Sequence, residues 1–321
     1  MTAAELCAIA LAGLCVDLAI GDPPWLPHPV RGIGRATTWL EPRLTARLGR
    51  GRAAGAVFAA TIIGAAYASG TILVAAAFAV HPVAGYCASI YLVATAVSTR
   101  DLDREARAVA SALARGGVGC ARVALARIVG RDTEQLEDDD VIRGAVECVA
   151  ESTVDGCVTP LCFAILIGPA AALAFKAVST LDSMVGHRNE RYATFGTASA
   201  RADDVAGYLP ARLARALIPI AALVLSLDAR RSLAIGWRDG ARSPSPNAGI
   251  PEACVAGALG IQLGGPLSYA GVATDKPTLG DATRPRATSD IARSISLMYV
   301  TTGLAWAVLA ALALAAQSVL S

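Results

Sequence analysis

Two stretches of the chain, residues 53–80 and 294–321, each run for 28 residues without a charged side chain. A helix rises about 1.5 Å per residue, and about 20 residues cross the hydrocarbon core of a bilayer. Both stretches therefore predict membrane-crossing helices. A soluble core helix would turn a polar face outward every three or four residues, and no such face interrupts these runs. Residues 3–20 predict another helix, carrying Asp17 near its end. Four prolines within residues 21–29 stop it. His81-Pro82 turns the chain after the span 53–80. Residues 84–98 then predict a shorter span that pairs with it as a hairpin.

The periodicity changes at 101–114. Leu102, Ala106, Val109 and Leu113 share one helical face, whereas Asp103, Arg104 and Arg107 lie away from it. Further helices are predicted at 118–129 and 139–153, separated by the acidic turn 134–140. Residues 156–175 are uncharged but broken by Gly168-Pro169; both a bent or re-entrant element and a plain kinked span fit that pattern. Apolar stretches follow at 216–227, at the Gly-rich 253–265 and from 292 to the end. The expected fold class is all-α. It is a polytopic integral membrane protein with about five to seven embedded segments, one broken or re-entrant helix and amphipathic interfacial helices. Residues 1–321 read as a single integral membrane domain, with 100–155 a largely extramembrane helical insertion and 228–293 a polar loop region.

Composition agrees. The chain is 55% apolar and 17% charged, against about a quarter charged in a soluble domain, and its mean hydropathy is +0.52. A net charge of +2 from 28 basic and 26 acidic residues is too balanced for a nucleic-acid binder. With aromatics at 5% and 30 glycines, close small-residue packing is the expected helix contact. The eight cysteines are scattered and form no CxxC; Cys7, Cys15, Cys87 and Cys162 fall in apolar segments and read as buried thiols. The first apolar segment follows Glu5 without a basic leader, so it reads as a retained helix and not a cleaved signal peptide. Residues 21–52 carry six basic and two acidic residues, which favours the cytoplasmic side.

Three polar clusters adjoin the apolar helices. The first is Gly21-Asp22-Pro23-Pro24-Trp25 through His28-Pro29-Val30. The second runs from Glu151-Ser152-Thr153-Val154-Asp155-Gly156 through Thr180–Asn189 and Arg191-Tyr192 to Arg201, Asp203 and Asp204. The third is Asp239-Gly240 with Ser243-Pro244-Ser245-Pro246-Asn247-Ala248-Gly249 and Glu252. These strings resemble the CobD/CbiB family, the adenosylcobinamide-phosphate synthases of cobalamin biosynthesis, over nearly the whole chain. The resemblance implies a polytopic membrane ligase. It would join the propionate carboxyl of adenosylcobyric acid to (R)-1-amino-2-propanol or its O-phosphate, with ATP and Mg²⁺. His187 stands where many relatives are expected to carry an aromatic residue, so it is not expected to be an indispensable base.

Chemistry constrains such a reaction independently. A carboxylate and an ammonium attract one another but do not condense. Activation, most simply to an acyl phosphate, must create a leaving group, and the amine must lose a proton before it attacks. The site needs Mg²⁺ held by carboxylates, basic groups over phosphates and a proton acceptor. Glu151 and Asp155, four apart, share a helical face and suit a metal or an amine; a capped, solvated pair at a helix end is the alternative. Asp182 suits metal binding or proton acceptance, or a local pair with Lys176. Lys176, Arg188, Asn189, Arg191 and Arg201 offer donors to phosphate or to the amides of a corrin rim. Asp203-Asp204 is a second candidate magnesium site. Asn247 marks either an anion-binding nest or a self-satisfied Asx-turn. Asp17 is costly in an apolar run, and His28 lies between two prolines. No P-loop or GxGxxG string is present.

The catalytic candidates are therefore Glu151, Asp155 and Asp182. The ligand-binding candidates are Lys176, Arg188, Asn189, Arg191, Arg201 and Asn247, and the metal candidates Glu151, Asp155, Asp203 and Asp204. Expected partners are the corrinoid, the aminoalcohol, the lipid bilayer and other corrinoid-pathway enzymes. A homo-oligomer is compatible, and no nucleic acid is expected. The expected location is the cell membrane, multi-pass, with the site open to the cytoplasm. A transporter for a corrinoid or other polar solute, and a non-catalytic membrane scaffold, are the competing classes.

Overall fold

A computed structural model describes residues 1–187, 190–269 and 271–320. The chain divides into two compact units: residues 1–98, 159–207 and 306–321 form the first, and 99–158 with 208–305 the second. Among the described residues, five helical segments are long and apolar enough to cross a membrane: Ala3–Ile20, Arg52–Val80, Pro82–Leu125, Asp138–Leu166 and Ser289–Val319. A sixth is added if Thr197–Ala206 and Tyr208–Val224, a bent pair broken at Gly207, make one passage. The chain is a polytopic helical membrane protein.

The first unit contains α1 (Ala3–Ile20), α2 (Pro29–Leu48), α3 (Arg52–Val80), α4 (Pro82–Ala96), α7 (Thr159–Leu166), α8 (Pro169–Val185) and α9 (Thr197–Ala206). The start of α1 is fixed by a capping box, in which Thr2 accepts from the Glu5 N–H and the Glu5 side chain accepts from the Thr2 N–H. At the head of α4, His81 Nδ1 accepts the Val83 N–H at 3.2 Å, the helix-end role its position before Pro82 suggests. The expected interruption at Gly168-Pro169 separates α7 from α8. Gly168 has φ 132, a value only glycine adopts without strain, and Pro169 opens the next helix. The core packs Phe58, Ile62 and Ala66 of α3 against Leu173, Ala177 and Leu181 of α8. Lipid tails are as apolar as these side chains, so close van der Waals fit supplies the cohesion instead of water release. Gly55 is the tightest example: a Cβ there would lie 1.9 Å from the Phe195 carbonyl oxygen.

The second unit holds α5 (Thr99–Leu125), α6 (Asp138–Ser152), a π-helical segment (Thr153–Val158), α10 (Tyr208–Val224), α11 (Ala229–Arg238), α12 (Gly249–Leu259) and the antiparallel strands β1 (Leu263–Tyr269) and β2 (Val272–Leu279). The last helix, α13 (Ser289–Leu320), begins here. The two helices expected at 101–114 and 118–129 form one element, α5, kinked at Gly117 with φ 72. Leu102, Ala106 and Val109 are buried as the periodicity predicts, but so is Asp103, which the pattern placed on the polar side. Its carboxylate is neutralised locally by Arg107 one turn on, so burial does not leave it unpaired.

Residues 228–293, expected as polar loop, contain α11, α12 and the hairpin. The hairpin was not legible as alternation. β1 starts with three successive buried residues, Leu263-Gly264-Gly265, and most of β2 is exposed. A register irregularity between Leu263 and Gly265, with Gly264 at φ 76 and Gly265 at φ 91, further breaks the two-residue period.

Candidate functional site

In the second unit, α6 carries Asp140, Arg143, Glu147 and Glu151 at intervals of three, four and four residues, one stripe along the helix. This stripe meets the start of the hairpin. Glu147, 2% exposed, pairs with Arg131 and accepts the Gly264 N–H at 2.7 Å. Arg143 donates to the carbonyls of Gly264 and, at 2.8 Å, Pro266, and pairs with Asp140 at 3.0 Å. Beside them Lys276 of β2 donates to both oxygens of Glu252 at 2.8 and 2.9 Å. Burial pushes the Glu252 carboxyl up to about 8, with Glu151 and Glu147 adding to the rise against the pull of Lys276. Lys276 faces Glu252 and Arg131 faces Glu147, with the Glu151 charge within electrostatic reach of Lys276. The sequence-predicted Glu151 is thus part of a compensated, largely buried polar layer. Reasoning from sequence missed Glu147, Arg131 and Lys276. The signal for Glu147 was present, since it lies one helical turn before Glu151.

The Glu151–Gly156 string coincides with the change from α6 to the π-helical segment. Its wider hydrogen-bonding pattern shifts the backbone register just where Asp155 is presented, and such segments concentrate at functional sites. Glu151 and Asp155 are both half-buried. At the opposite end of α6, the chain from Asp132 to Asp140 and the hairpin tip enclose an open cleft of about 730 Å³. Its lining includes Asp132, Glu134, Gln135, Asp140, Arg143 and Ser268. Asp132 ties the two walls: its N–H donates to the Ser268 carbonyl at 2.9 Å, and its carboxylate accepts the Gly271 N–H at 2.8 Å.

The third cluster is knitted into the same unit. The Asn247 side-chain oxygen accepts from Arg212 at 2.8 Å, while the Ser245 hydroxyl takes the N–H groups of Asn247 and Ala248 at 3.3 and 3.2 Å. The turn is thus closed by the Ser245 hydroxyl, and the Asn247 side-chain oxygen is engaged by Arg212. Asp239 is fully buried, bound by Arg238 at 2.7 Å, Arg242 at 3.2 Å and the Gly280 N–H at 2.9 Å. The Arg238 hydrogen bond holds its carboxyl below the usual range despite burial.

In the first unit, Asp22 meets His28 Nε2 at 2.8 Å. Arg31 gathers the carbonyls of Asp22, Pro23, Pro24 and Leu26 at 3.0–3.4 Å, so the proline-rich turn is fastened to α2. Asp182, near the end of α8, lies within electrostatic reach of Asp204 on α9 and of His187. Asp203 precedes Asp204 on the same helix, and Arg201 is exposed there. Lys176 reaches Ser98 Oγ at 3.4 Å. Arg191 is committed to Glu41, at 2.8 Å, alongside Arg50 at 3.1 Å and the Tyr192 hydroxyl at 3.2 Å. Arg188 and Asn189 lie outside the described residues.

Among the described residues no group of three His, Cys, Asp or Glu side chains could by itself hold a metal. Mg²⁺ typically takes only one or two carboxylates together with water and phosphate oxygens.

The family model described as CobD/Cbib protein matches residues 10–298. The chain belongs to the CobD/CbiB family. It is 46% identical to the cobalamin biosynthesis protein CbiB of Salmonella paratyphi B, over 91% of this chain and 92% of that protein. It is also 46% identical to the cobalamin biosynthesis protein CobD of Geobacter metallireducens, over 92% and 93%, and 45% identical to that of Klebsiella pneumoniae, over 91% and 92%. No solved structure matches. In this CobD/CbiB chain the predicted residues fall into two sets. Glu151, Asp155 and Asn247 belong to the second unit; Lys176, Asp182, Arg191, Arg201, Asp203 and Asp204 belong to the first.

Proposed function

We propose that this protein is a multi-pass membrane ligase of cobalamin biosynthesis that forms an amide. The acid is the propionate carboxyl of adenosylcobyric acid. The amine is (R)-1-amino-2-propanol or its O-phosphate, and the product is adenosylcobinamide or its phosphate. Membership of the CobD/CbiB family, across nine-tenths of the chain and of relatives named as cobalamin biosynthesis proteins, is the observation that carries this reading. ATP and Mg²⁺ supply the activation that turns a carboxylate oxygen into a leaving group. Asp182 and Asp204, with Asp203, would hold the cation, while Lys176, Arg188, Arg191 and Arg201 would offer positive charge and Asn189 an amide to phosphate or to the corrin rim. Glu151 and Asp155 bind the ammonium and take its proton, because a carboxylate attracts a cation and within hydrogen-bond reach can accept its proton. The site is open to the cytoplasm, where ATP is supplied.

The test is direct. Detergent-purified protein is given adenosylcobyric acid, the aminoalcohol or its phosphate, ATP and Mg²⁺, and the corrinoid is analysed by mass. Formation of the amide with consumption of ATP supports the reading. Unchanged corrinoid with every amine, together with uptake of corrinoid into vesicles carrying the protein, would establish a transporter instead.

A further inference from the structure

We propose that the outer face of α2 binds the phosphates of anionic phospholipid headgroups. Gly13 of α1 packs on Val93 of α4, and the Tyr86 hydroxyl of α4 donates to Glu5 near the head of α1, so these two helices run parallel. α3 turns into α4 at His81 and runs against α8. Gly70 faces Ala170 and Leu173 at the start of α8, whereas Gly55 faces Phe195, whose neighbour Gly196 meets Val185 at its end. The C-terminal ends of α1, α4 and α8 therefore gather around the first turns of α3. α2 packs across this end. Its Ile33, Leu40 and Leu44 join Phe58 of α3 with Leu181 and Val185 of α8, and the Tyr91 hydroxyl of α4 donates to the Pro27 carbonyl just before α2. Arg52 opens α3 and the uncharged run begins at the next residue, which sets α2 at headgroup depth.

The two faces of α2 differ in charge. Ile33, Thr37 and Glu41 are buried on the inner face. Arg35, Trp39, Arg43 and Arg47, spaced by four, are exposed on the outer one, a stripe about 18 Å long. Glu41 is the single acid of α2, and it is turned inward to Arg50 and Arg191. Among the described residues Arg35 and Arg47 meet no carboxylate. The Arg43 guanidinium lies 4.2 Å from the Trp39 ring centroid and gives one N–H to the Trp39 carbonyl at 2.6 Å, which leaves others of its five to a ligand. Trp39 is 58% exposed, and Trp25, in the turn before α2, 75%. Indoles with that much open surface are favoured where headgroups meet acyl chains, because one end of the ring is apolar and the other a hydrogen-bond donor.

Charge selects the occupant. Three guanidiniums with no acid on their face suit a phosphodiester, which a guanidinium grips with two parallel N–H···O bonds. A zwitterionic headgroup carries its own cation beside the phosphate and gains less from them. Both indoles lie at the end of the unit where acyl chains come within reach, a depth that a soluble acidic protein would leave unused.

The experiment titrates the full chain, purified in non-ionic detergent, with phosphatidylglycerol or phosphatidylcholine whose chains are brominated near the headgroup. Quenching of tryptophan emission gives an apparent Kd for each lipid. In the wild type we expect phosphatidylglycerol to bind at least about fivefold more tightly than phosphatidylcholine, a preference that fades in high salt. Arg35→Gln/Arg47→Gln should weaken phosphatidylglycerol at least about tenfold, since a basic residue near an anionic surface is worth roughly fivefold in binding, with phosphatidylcholine quenching unchanged. Trp39→Phe should remove most of the quenching specific to the anionic lipid. Equal affinity for the two lipids in the wild type overturns the assignment. So does an unchanged phosphatidylglycerol Kd in the double variant, or full anion-specific quenching in Trp39→Phe, which would put the lipid elsewhere. Inorganic phosphate that abolishes the preference at constant ionic strength would assign the stripe to a soluble phosphate and likewise overturn it.

Discussion

Replacing Arg131 by Met would strand the carboxylate at the centre of the second unit. Glu147 is 2% exposed and Arg131 8%, so neither charge has much water to fall back on. In the variant, the Gly264 N–H remains on one oxygen, but the guanidinium that neutralised the other is gone. Removing one partner of a buried pair typically costs about 3–5 kcal/mol, because the survivor is uncompensated. Across a unit of this size that corresponds to a drop in Tm of about 6–20 °C. The decisive assay is a double-mutant cycle on detergent-solubilised protein, following unfolding by circular dichroism. Glu147→Gln combined with Arg131→Met removes both charges, so the double variant should recover much of the loss and give a coupling of at least about 2 kcal/mol. Strict additivity of the two single changes would refute the claim that Arg131 and Glu147 form a compensated buried pair.

Three further outcomes follow from the same contacts. Because the folded pKa of Glu252, about 8, lies above its ordinary value of 4.5, the folded state holds the extra proton between those limits. Stability should therefore fall as pH rises through that window, by up to about 1.4 kcal/mol per pH unit, and Glu252→Gln, which mimics the protonated acid, should lose that slope in unfolding curves taken from pH 5 to 8; equal slopes would contradict the raised value. Gly55→Ala places a methyl 1.9 Å from the Phe195 carbonyl and should sharply reduce the yield of folded protein, whereas Gly64→Ala in the same helix, which meets nothing within 4 Å, should express as wild type. Glu151→Gln should lower turnover in the amide assay by two or more orders of magnitude with the folded yield nearly unchanged; equal loss of both would make Glu151 structural.

The apolar runs were sufficient to place the long apolar helices α1 and α3. Lipid imposes a length and excludes charge, so residues 53–80 and 3–20 could take few other forms, and α3 and α1 follow those limits to within a residue. Proline and glycine marked the breaks before α2 and α8 for local reasons, a missing N–H and a positive φ, which need no knowledge of neighbours. The polar strings themselves were also legible, and with them the CobD/CbiB family. What the chain order hid was partnership. Nothing in the local sequence links Arg131 to Glu147, or Lys276 to a glutamate 24 residues earlier, because the first pair forms only when the loop before α6 folds back along that helix and the second only when the hairpin meets α12. Asp103 was misplaced for the same reason: a helical period records where a side chain points, and its burial depends on what arrives opposite. The sequence alone determined which segments lipid could surround. The tertiary structure decided which of the remaining charges are neutralised within the chain and which line open space, because that choice depends on distances between segments remote along the chain.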